Sequence, residues 1–315
     1  MARQELAPAA LLVARAVADH LPPGEVIVGC SGGADSMALA LGAQWAAARA
    51  GGRIRAIVVD HGLQDGSADV AERTRQRLHS RRVEADIVKV TVRPSGDGVE
   101  AAAREARLSA LTAQGLPVLL GHTLDDQAES VLLGLLRGSG TRSLAGMAPR
   151  REPLIRPLLG LRRDETVAAC QAWGIDWWHD PMNDDPAFAR VRARRLLREL
   201  SEGLGRDIAP ALARTALLAR ADADLLDSLA GIEAPDDESP SCRELSDLPD
   251  ALRWRALHRW LGSRGSAAEQ NHVLAVDQLV LAWRGQGGIH VPGGTVRRVD
   301  GRLHFTPGAG EVEPV

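Results

Sequence analysis

The sequence predicts an α/β fold, a parallel sheet with helices on both faces, followed by a smaller α+β C-terminal domain. Three observations carry this. Short, nearly continuous aliphatic runs at 26–30, 54–60, 86–92 and 118–122 alternate with helical stretches at 37–50, 67–80 and 99–114. This is the βαβ rhythm of a sheet buried on both faces. Each run ends in a polar, mostly glycine-bearing segment: CSGGADS, DHGLQDG, TVRPSGDG and GHTLDDQ. In such sheets ligands bind beyond the carboxyl ends of the strands, so these four segments mark one edge for a site. Past about residue 206 the rhythm changes to helices near 206–230, 250–262 and 268–284, then to two alternating runs joined by Asp300-Gly301, a hairpin signal. The predicted division is 1–205 for a catalytic domain and 206–315 for a second domain, with an acidic linker near 230–250.

Composition narrows the classes. The 315 residues are 45% hydrophobic, enough for two buried cores. No apolar run approaches the roughly 18 residues of a membrane span. The opening MARQELAPAALLVARAVADH mixes apolar and charged residues at helical spacing, unlike a secretory leader. Cys30, Cys170 and Cys242 lie too far apart for a disulfide framework or a zinc set, and fit a reducing cytoplasm. A single lysine, Lys89, and no tyrosine accompany abundant alanine, glycine and arginine, as GC-rich coding produces. Arginine content alone therefore says little about nucleic acid. Charge distribution says more: residues 222–250 hold ten acids against Arg243, so this run carries −9 of a net −3 and the rest of the chain +6. Residues 186–198 hold five arginines and no acid, a pattern that in isolation reads as a solvated helix face.

The stretch VIVGCSGGADSMALALGAQWAAA, residues 26–48, poses the chemical question. Glycines let a backbone turn sharply and approach an anion. The helix that follows offers unpaired N–H groups and its positive dipole end, and serine hydroxyls add donors. Ser31, Gly32, Gly33 and Ser36 thus form a phosphate cradle. Any strand-to-helix loop favours glycine, but an aspartate inside an anion site needs a cation beside it. Asp35 is the candidate ligand for Mg²⁺, which takes one or two carboxylates plus phosphate oxygens. The usual P-loop is excluded, since it requires Gly-Lys-Ser/Thr and Lys89 lies on a predicted strand.

SGGADS resembles the SGGxDS signature of the PP-loop ATP pyrophosphatases, whose fold is of the adenine nucleotide α-hydrolase type. The resemblance implies that this loop holds the pyrophosphate part of ATP and that the reaction cleaves between α- and β-phosphates. Further segments are similar to those of tRNA(Ile)-lysidine synthetases. They are Asp60-His61-Gly62-Leu63, GHTLDDQAES at 121–130, LLRGSG at 135–140, Arg156-Pro157-Leu158-Leu159 and His179-Asp180-Pro181-Met182-Asn183. The likeness covers about residues 20–200. It departs after Asn183, where the family's F-x-R-N-x-I-R pattern reads Phe188, Arg190, Val191, Ala193 and Arg194.

The resemblance implies ligation of free L-lysine to C2 of the wobble cytidine in the CAU anticodon of tRNA(Ile), with ATP and Mg²⁺ and through an adenylated cytidine. It implies catalytic roles for Asp35, Asp126 and Arg104. ATP contacts then fall to Ser31, Gly32, Gly33, Asp35, Ser36, His61 and His122. The lysine pocket is assigned to Asp126, Glu129 and Arg104, the metal to Asp35, and tRNA contacts to Arg190 and Arg194. No membrane is involved, and a homodimer is allowed for.

The residues support part of this independently. Lysine carries two ammonium groups, so its pocket needs acids. Asp126 and Glu129, spaced i, i+3, share a helix face, and three acids in Asp125–Glu129 exceed what a helix start requires. Arg104 and Arg107 share a face of the preceding predicted helix. His61 and His122 each end a predicted strand on the site edge. Arg253, Arg255, Arg259, Arg297 and Arg298 are expected to line a tRNA path, with the acidic run facing away. The rival readings are a thiolase-type PP-loop enzyme, which wants a cysteine pair, and a non-catalytic nucleotide-binding module, which has no use for the acids.

Overall fold

The computed structural model describes residues 6–62, 64, 66–92, 99–138, 140–233 and 238–308. Leu63, residues 93–98, Ser139, Asp236 and Asp237, on which parts of the sequence reading rest, lie outside the described residues. The chain forms two compact units, Met1–Arg220 and Ala221–Val315.

In the first unit the strands are β1 (Glu25–Cys30), β2 (Arg53–Asp60), β3 (Ala85–Lys89), β4 (Val118–Leu120), β5 (Arg150–Arg151) and β6 (Leu154–Ile155). Their order is β3-β2-β1-β4-β6-β5. All pairings are parallel except the edge pair β5–β6. The chain runs outward from β1 through β2 to β3, then returns to place β4 on the other side of β1. That reversal opens a crevice at the carboxyl ends of β1 and β4, where ligands bind in such sheets.

Helices cover both faces. Helices α1 (Pro8–Ala18), α2 (Ala34–Ala50), α3 (Ser67–Ser80) and α7 (Arg163–Trp173) contribute to the larger core with Val26, Val28, Met37, Leu39, Leu78 and Cys170. On α1 the buried residues Ala10, Val13, Ala14 and Val17 form one helical stripe. Helix α4 (Val99–Thr112) sets Leu108 and Leu111 against Ile27, Ile57 and Val118 on the opposite face. Helices α5 (Leu124–Leu136) and α8 (Ala189–Gly203) share a further cluster around Ala128, Leu132, Ala193 and Leu197. A short α6 (Thr141–Leu144) precedes β5.

The four expected strands are present, but β3 and β4 stop at Lys89 and Leu120, short of Val92 and His122. After Val90 donates to Asp60 O at 2.9 Å the chain leaves the ladder, which frees the polar ends for a site. Strands β5 and β6, two residues each, are too short to carry a periodicity.

The division falls within α9 (Ala209–Glu233). The second unit holds α10 (Cys242–Asp247), α11 (Asp250–Ser263) and α12 (Gln270–Leu281). These are followed by the antiparallel sheet β7 (Ile289–Val291), β8 (Gly294–Val299) and β9 (Arg302–Pro307). Leu257, Leu261, Val273, Leu279, Val296 and Leu303 form its core. The β8–β9 turn has positive φ at both Asp300 (48°) and Gly301 (75°), the hairpin geometry this dipeptide favours.

Candidate active site

The phosphate loop is closed by its own hydrogen bonds. Ser36 Oγ donates to Gly33 O at 2.9 Å and accepts from the Ser31 N–H at 3.2 Å. The Trp178 N–H donates to Gly32 O at 2.8 Å. Gly32 has φ +84°, and a Cβ there would run into Thr74 Oγ1 of α3. Gly121, just after β4, would place a Cβ 3.0 Å from Asp35 O. Backbone approach without side chains is what brings the loop and the start of α5 together. Gly32→Ala is therefore expected to distort the cradle by both strain and collision. ATP binding measured by titration should weaken at least about tenfold, with the fold retained by circular dichroism.

Across the crevice, α5 starts with Thr123 as its cap. Asp126 Oδ2 accepts from the Thr123 N–H at 2.8 Å, a capping box. This fixes the carboxylate and leaves Oδ1 facing Arg163 at 2.7 Å. Arg163, at the start of α7, also reaches Asp35 at 3.3 Å and Glu129 at 3.9 Å. Arg194 of α8 donates to Glu129 Oε1 at 2.7 Å. Glu129 is 1% exposed, and its Oε2 has no partner among the described residues. Asp35 also accepts from the Thr166 hydroxyl.

The electrostatics follow. Burial pushes the Glu129 and Asp35 carboxyls above the usual range, against the pull of Arg194 on the first and of Thr166 and Arg163 on the second. Burial also raises Asp126, but Arg163 and the Thr123 N–H outweigh it and hold that carboxyl below its ordinary value. Asp125 stands apart: it accepts from the Arg163 N–H at 2.8 Å and pairs with Arg162 at 2.8 Å, holding the start of α7.

The two histidines flank β1, His61 beyond β2 and His122 beyond β4. The Asp60 carboxylate accepts from the Gly62 N–H at 3.0 Å and shapes the turn that carries His61. His61 Nδ1, His122 Nδ1 and Arg107 Nε are buried without partners among the described residues. Burial drives His122 down to about 3. Asp126 opposes this, and Arg156, Arg107 and Arg104 add to it. His61 is likewise lowered by burial and by Arg107. Both rings are neutral near pH 7 and are bordered by cationic side chains, including Arg190 beside Arg107. The site thus has an acidic half, suited to ammonium groups, and a cationic half, suited to phosphate.

A consequence concerns acid stability. His122 stays neutral in the fold, whereas an unfolded histidine gains its proton near pH 6.5. The unfolded state therefore binds more protons between about 6.5 and 3, and stability falls as pH drops through that window. His122→Gln should show a smaller fall in melting temperature between pH 7 and pH 5 than the parent protein.

Of the residues expected from sequence, Ser31, Gly32, Gly33, Asp35, Ser36, His61, His122, Asp126 and Glu129 lie around the β1–β4 crevice. Arg104 stands with His122, Arg107 and Arg156 on the cationic half, while Arg163 and Arg194 engage the acids. Arg194, expected at the tRNA, pairs with Glu129. In the second unit Arg253 is buried against Asp277 at 2.6 Å and is no surface contact, which corrects its expected place on a tRNA path. Arg255 pairs with Asp227 at 2.8 Å, and Arg298 donates to Leu279 O and Val280 O, leaving Arg297 exposed. Arg163 and Thr166 were not legible from sequence. RRDET at 162–166 reads there as ordinary helix-start chemistry, and only the fold aims Arg163 at three carboxylates.

Fold and loop define an ATP-using PP-loop enzyme: a family model described as a PP-loop domain matches residues 10–200, and a second, the TilS substrate binding domain, matches 241–304. Among solved structures, the U34-tRNA thiolase NcsA from Methanococcus maripaludis shares the fold. Its TM-score is 0.54 at 18% identity, over 67% of this chain and 79% of that one. The chain belongs to the tRNA(Ile)-lysidine synthase family. The synthase of Salinispora tropica is 45% identical over 96% of this chain and 98% of its own. That of Cutibacterium acnes is 45% identical over 97% and 99%, and that of Mycobacterium tuberculosis 48% over 86% and 85%. It is an ATP-dependent ligase that forms lysidine on tRNA(Ile).

Proposed function

We propose that the reaction runs in two steps on free L-lysine. In the first, the C2 oxygen of the wobble cytidine attacks the α-phosphorus of ATP and pyrophosphate leaves. In the second, a lysine amine attacks C2, loses a proton, and AMP departs with the oxygen. The carrying observation is the buried Oε2 of Glu129, beside Asp126, which has no partner among the described residues. A carboxylate oxygen left without a donor costs stability, and an ammonium group supplies the missing donor.

The phosphate loop holds the polyphosphate by backbone N–H groups and Ser31. Ser36 acts by keeping the loop closed. His61, His122, Arg104 and Arg107 face the nucleotide and the developing negative charge, and Arg190 extends that positive field toward the RNA phosphates. Asp35 is the residue that would hold Mg²⁺. Its carboxyl is raised by burial and by nearby Asp126, and among the described residues Arg163 is the cation that meets both within 4 Å. That donor set fits an ion needing one or two carboxylates and phosphate oxygens. Bound there with ATP, Mg²⁺ would neutralise charge on the leaving pyrophosphate.

We assign residues 1–220 to catalysis and 221–315 to gripping the tRNA, about fifteen residues later than the sequence boundary. No helix among the described residues is long and apolar enough to cross a membrane, and the reaction is assigned to the cytoplasm. The partners in this reading are tRNA(Ile), L-lysine and, to be tested by sedimentation, a second copy of the chain. The thiolase alternative gains nothing from the cysteines, which are all buried and pushed up by burial, Cys170 to about 12.

Incubation with a tRNA(Ile) CAU transcript, ATP and lysine, followed by mass analysis of the wobble nucleoside, tests the whole scheme. The expected product carries one lysine in place of the C2 oxygen, with AMP and pyrophosphate released in equal amounts. ADP as product would refute it.

A further inference from the structure

A cavity of about 430 Å³ lies beside the phosphate loop, lined by Val70, Arg73, Arg77, Trp177, Trp178 and His179. None of the roles above uses it. Its lining holds three aromatic rings and two arginines and no acid. Residues 70, 73 and 77 lie on one face of α3 by helical spacing. Among the described residues, neither the Arg73 nor the Arg77 guanidinium makes a hydrogen bond or ion pair. The ring of Trp177 is fixed by the core beneath it and by its Nε1–H, which donates to His179 Nε2 at 3.0 Å. Among the described residues Trp178 is hydrogen-bonded through its backbone, to Gly32. Two acids next to the lining in sequence are turned to other work: Glu72 pairs with Arg75 at 2.7 Å, and Asp180 Oδ1 accepts from the Met182 N–H at 2.9 Å and from Gln64 at 3.2 Å.

Two uncompensated guanidiniums facing half-buried indole rings match one chemistry above others. A nucleobase stacks on the rings while its phosphates meet the cations. A hydrophobic peptide would leave the arginines unused, and a bare anion would leave the tryptophans unused. The substrate of this enzyme supplies such nucleotides in its unstacked anticodon loop.

We propose that this cavity binds an unstacked nucleotide of the tRNA(Ile) substrate other than the one being modified. The base stacks on Trp177 or Trp178, and its phosphates lie against Arg73 and Arg77. Because the Trp178 backbone holds Gly32, an occupied cavity stands directly against the wall of the phosphate loop. The inference rests on tRNA as substrate and not on the lysine or metal assignments.

The test uses the full chain and a tRNA(Ile) CAU transcript. Trp178→Ala should weaken tRNA binding roughly five- to a hundredfold, the worth of one stacked base. Trp178→Phe should recover most of that loss. Arg73→Gln combined with Arg77→Gln should lower the slope of log affinity against log salt by about 1.4, two contacts at about 0.7 each. ATP binding, measured alone on the arginine variant, should stay at the parent value. An unchanged tRNA affinity in both variants overturns the proposal. So does a loss of ATP affinity in the arginine variant with tRNA binding intact, which would make the cavity part of the ATP site. A Trp178→Phe variant as weak as Trp178→Ala would also count against stacking.

Discussion

Asp35→Ala should reduce tRNA-dependent exchange of pyrophosphate into ATP by about 10²–10³-fold, the range for removing one preorganised electrostatic element at a reacting phosphate. The loss should not be one of folding. The Asp35 carboxyl is raised by burial and sits near Asp126, so its removal relieves a buried charge and leaves Arg163 its 2.7 Å bond to Asp126. Melting temperature is therefore the internal control. Asp35→Asn, which keeps the shape and the partner Thr166, should be nearly as inactive, because the missing feature is charge. Exchange at the parent rate in either variant would remove Asp35 from the adenylation step.

Glu129→Gln is the second large effect, and it should fall on lysine. Losing a charge-assisted partner in a buried site costs about 1.5–3 kcal/mol, which is roughly a ten- to hundredfold higher lysine KM. The ATP requirement should stay within about twofold, since the phosphate loop is on the far side of the crevice. Arg194 complicates a reading from affinity alone, because its bond to Glu129 Oε1 would be weakened too. Arg194→Met separates the two: it should disturb lysine use less than Glu129→Gln, as it leaves the carboxylate in place. A lysine KM unchanged in Glu129→Gln would move the pocket elsewhere.

Much of this site could be read from the chain because its chemistry is local. The loop 31–36 lies in one strand-to-helix turn, and Asp126 and Glu129 lie one helical turn apart. The strands announce themselves through continuous apolar runs, and Asp300-Gly301 through the backbone freedom its turn demands. What escaped reading is long-range. Arg163 meets Asp35 across 128 positions, and Arg194 meets Glu129 across 65. No periodicity encodes such a meeting, so an arginine in a basic run looks the same whether it faces RNA or a buried acid. Arg253 makes the point in the second unit: it sits among arginines expected at a surface, yet it is 3% exposed and paired with Asp277. The acids and the glycines were legible by their unusual density; the cations that answer them were not.

The guanidinium shared by Asp35, Asp126 and Glu129 changes what the proposed lysine pocket means for uptake. Three carboxylates without a cation would repel one another, and Arg163, with Arg194 on Glu129, offsets part of that charge. In the proposed lysine pocket, an ammonium group that donates to the open Glu129 Oε2 also takes over part of what Arg163 now supplies at Asp126. Uptake is an exchange, and the observed affinity is a difference between two fits. It follows that the affinity for lysine should vary little with ionic strength even though the ligand is charged, in contrast to the steep salt dependence of the tRNA.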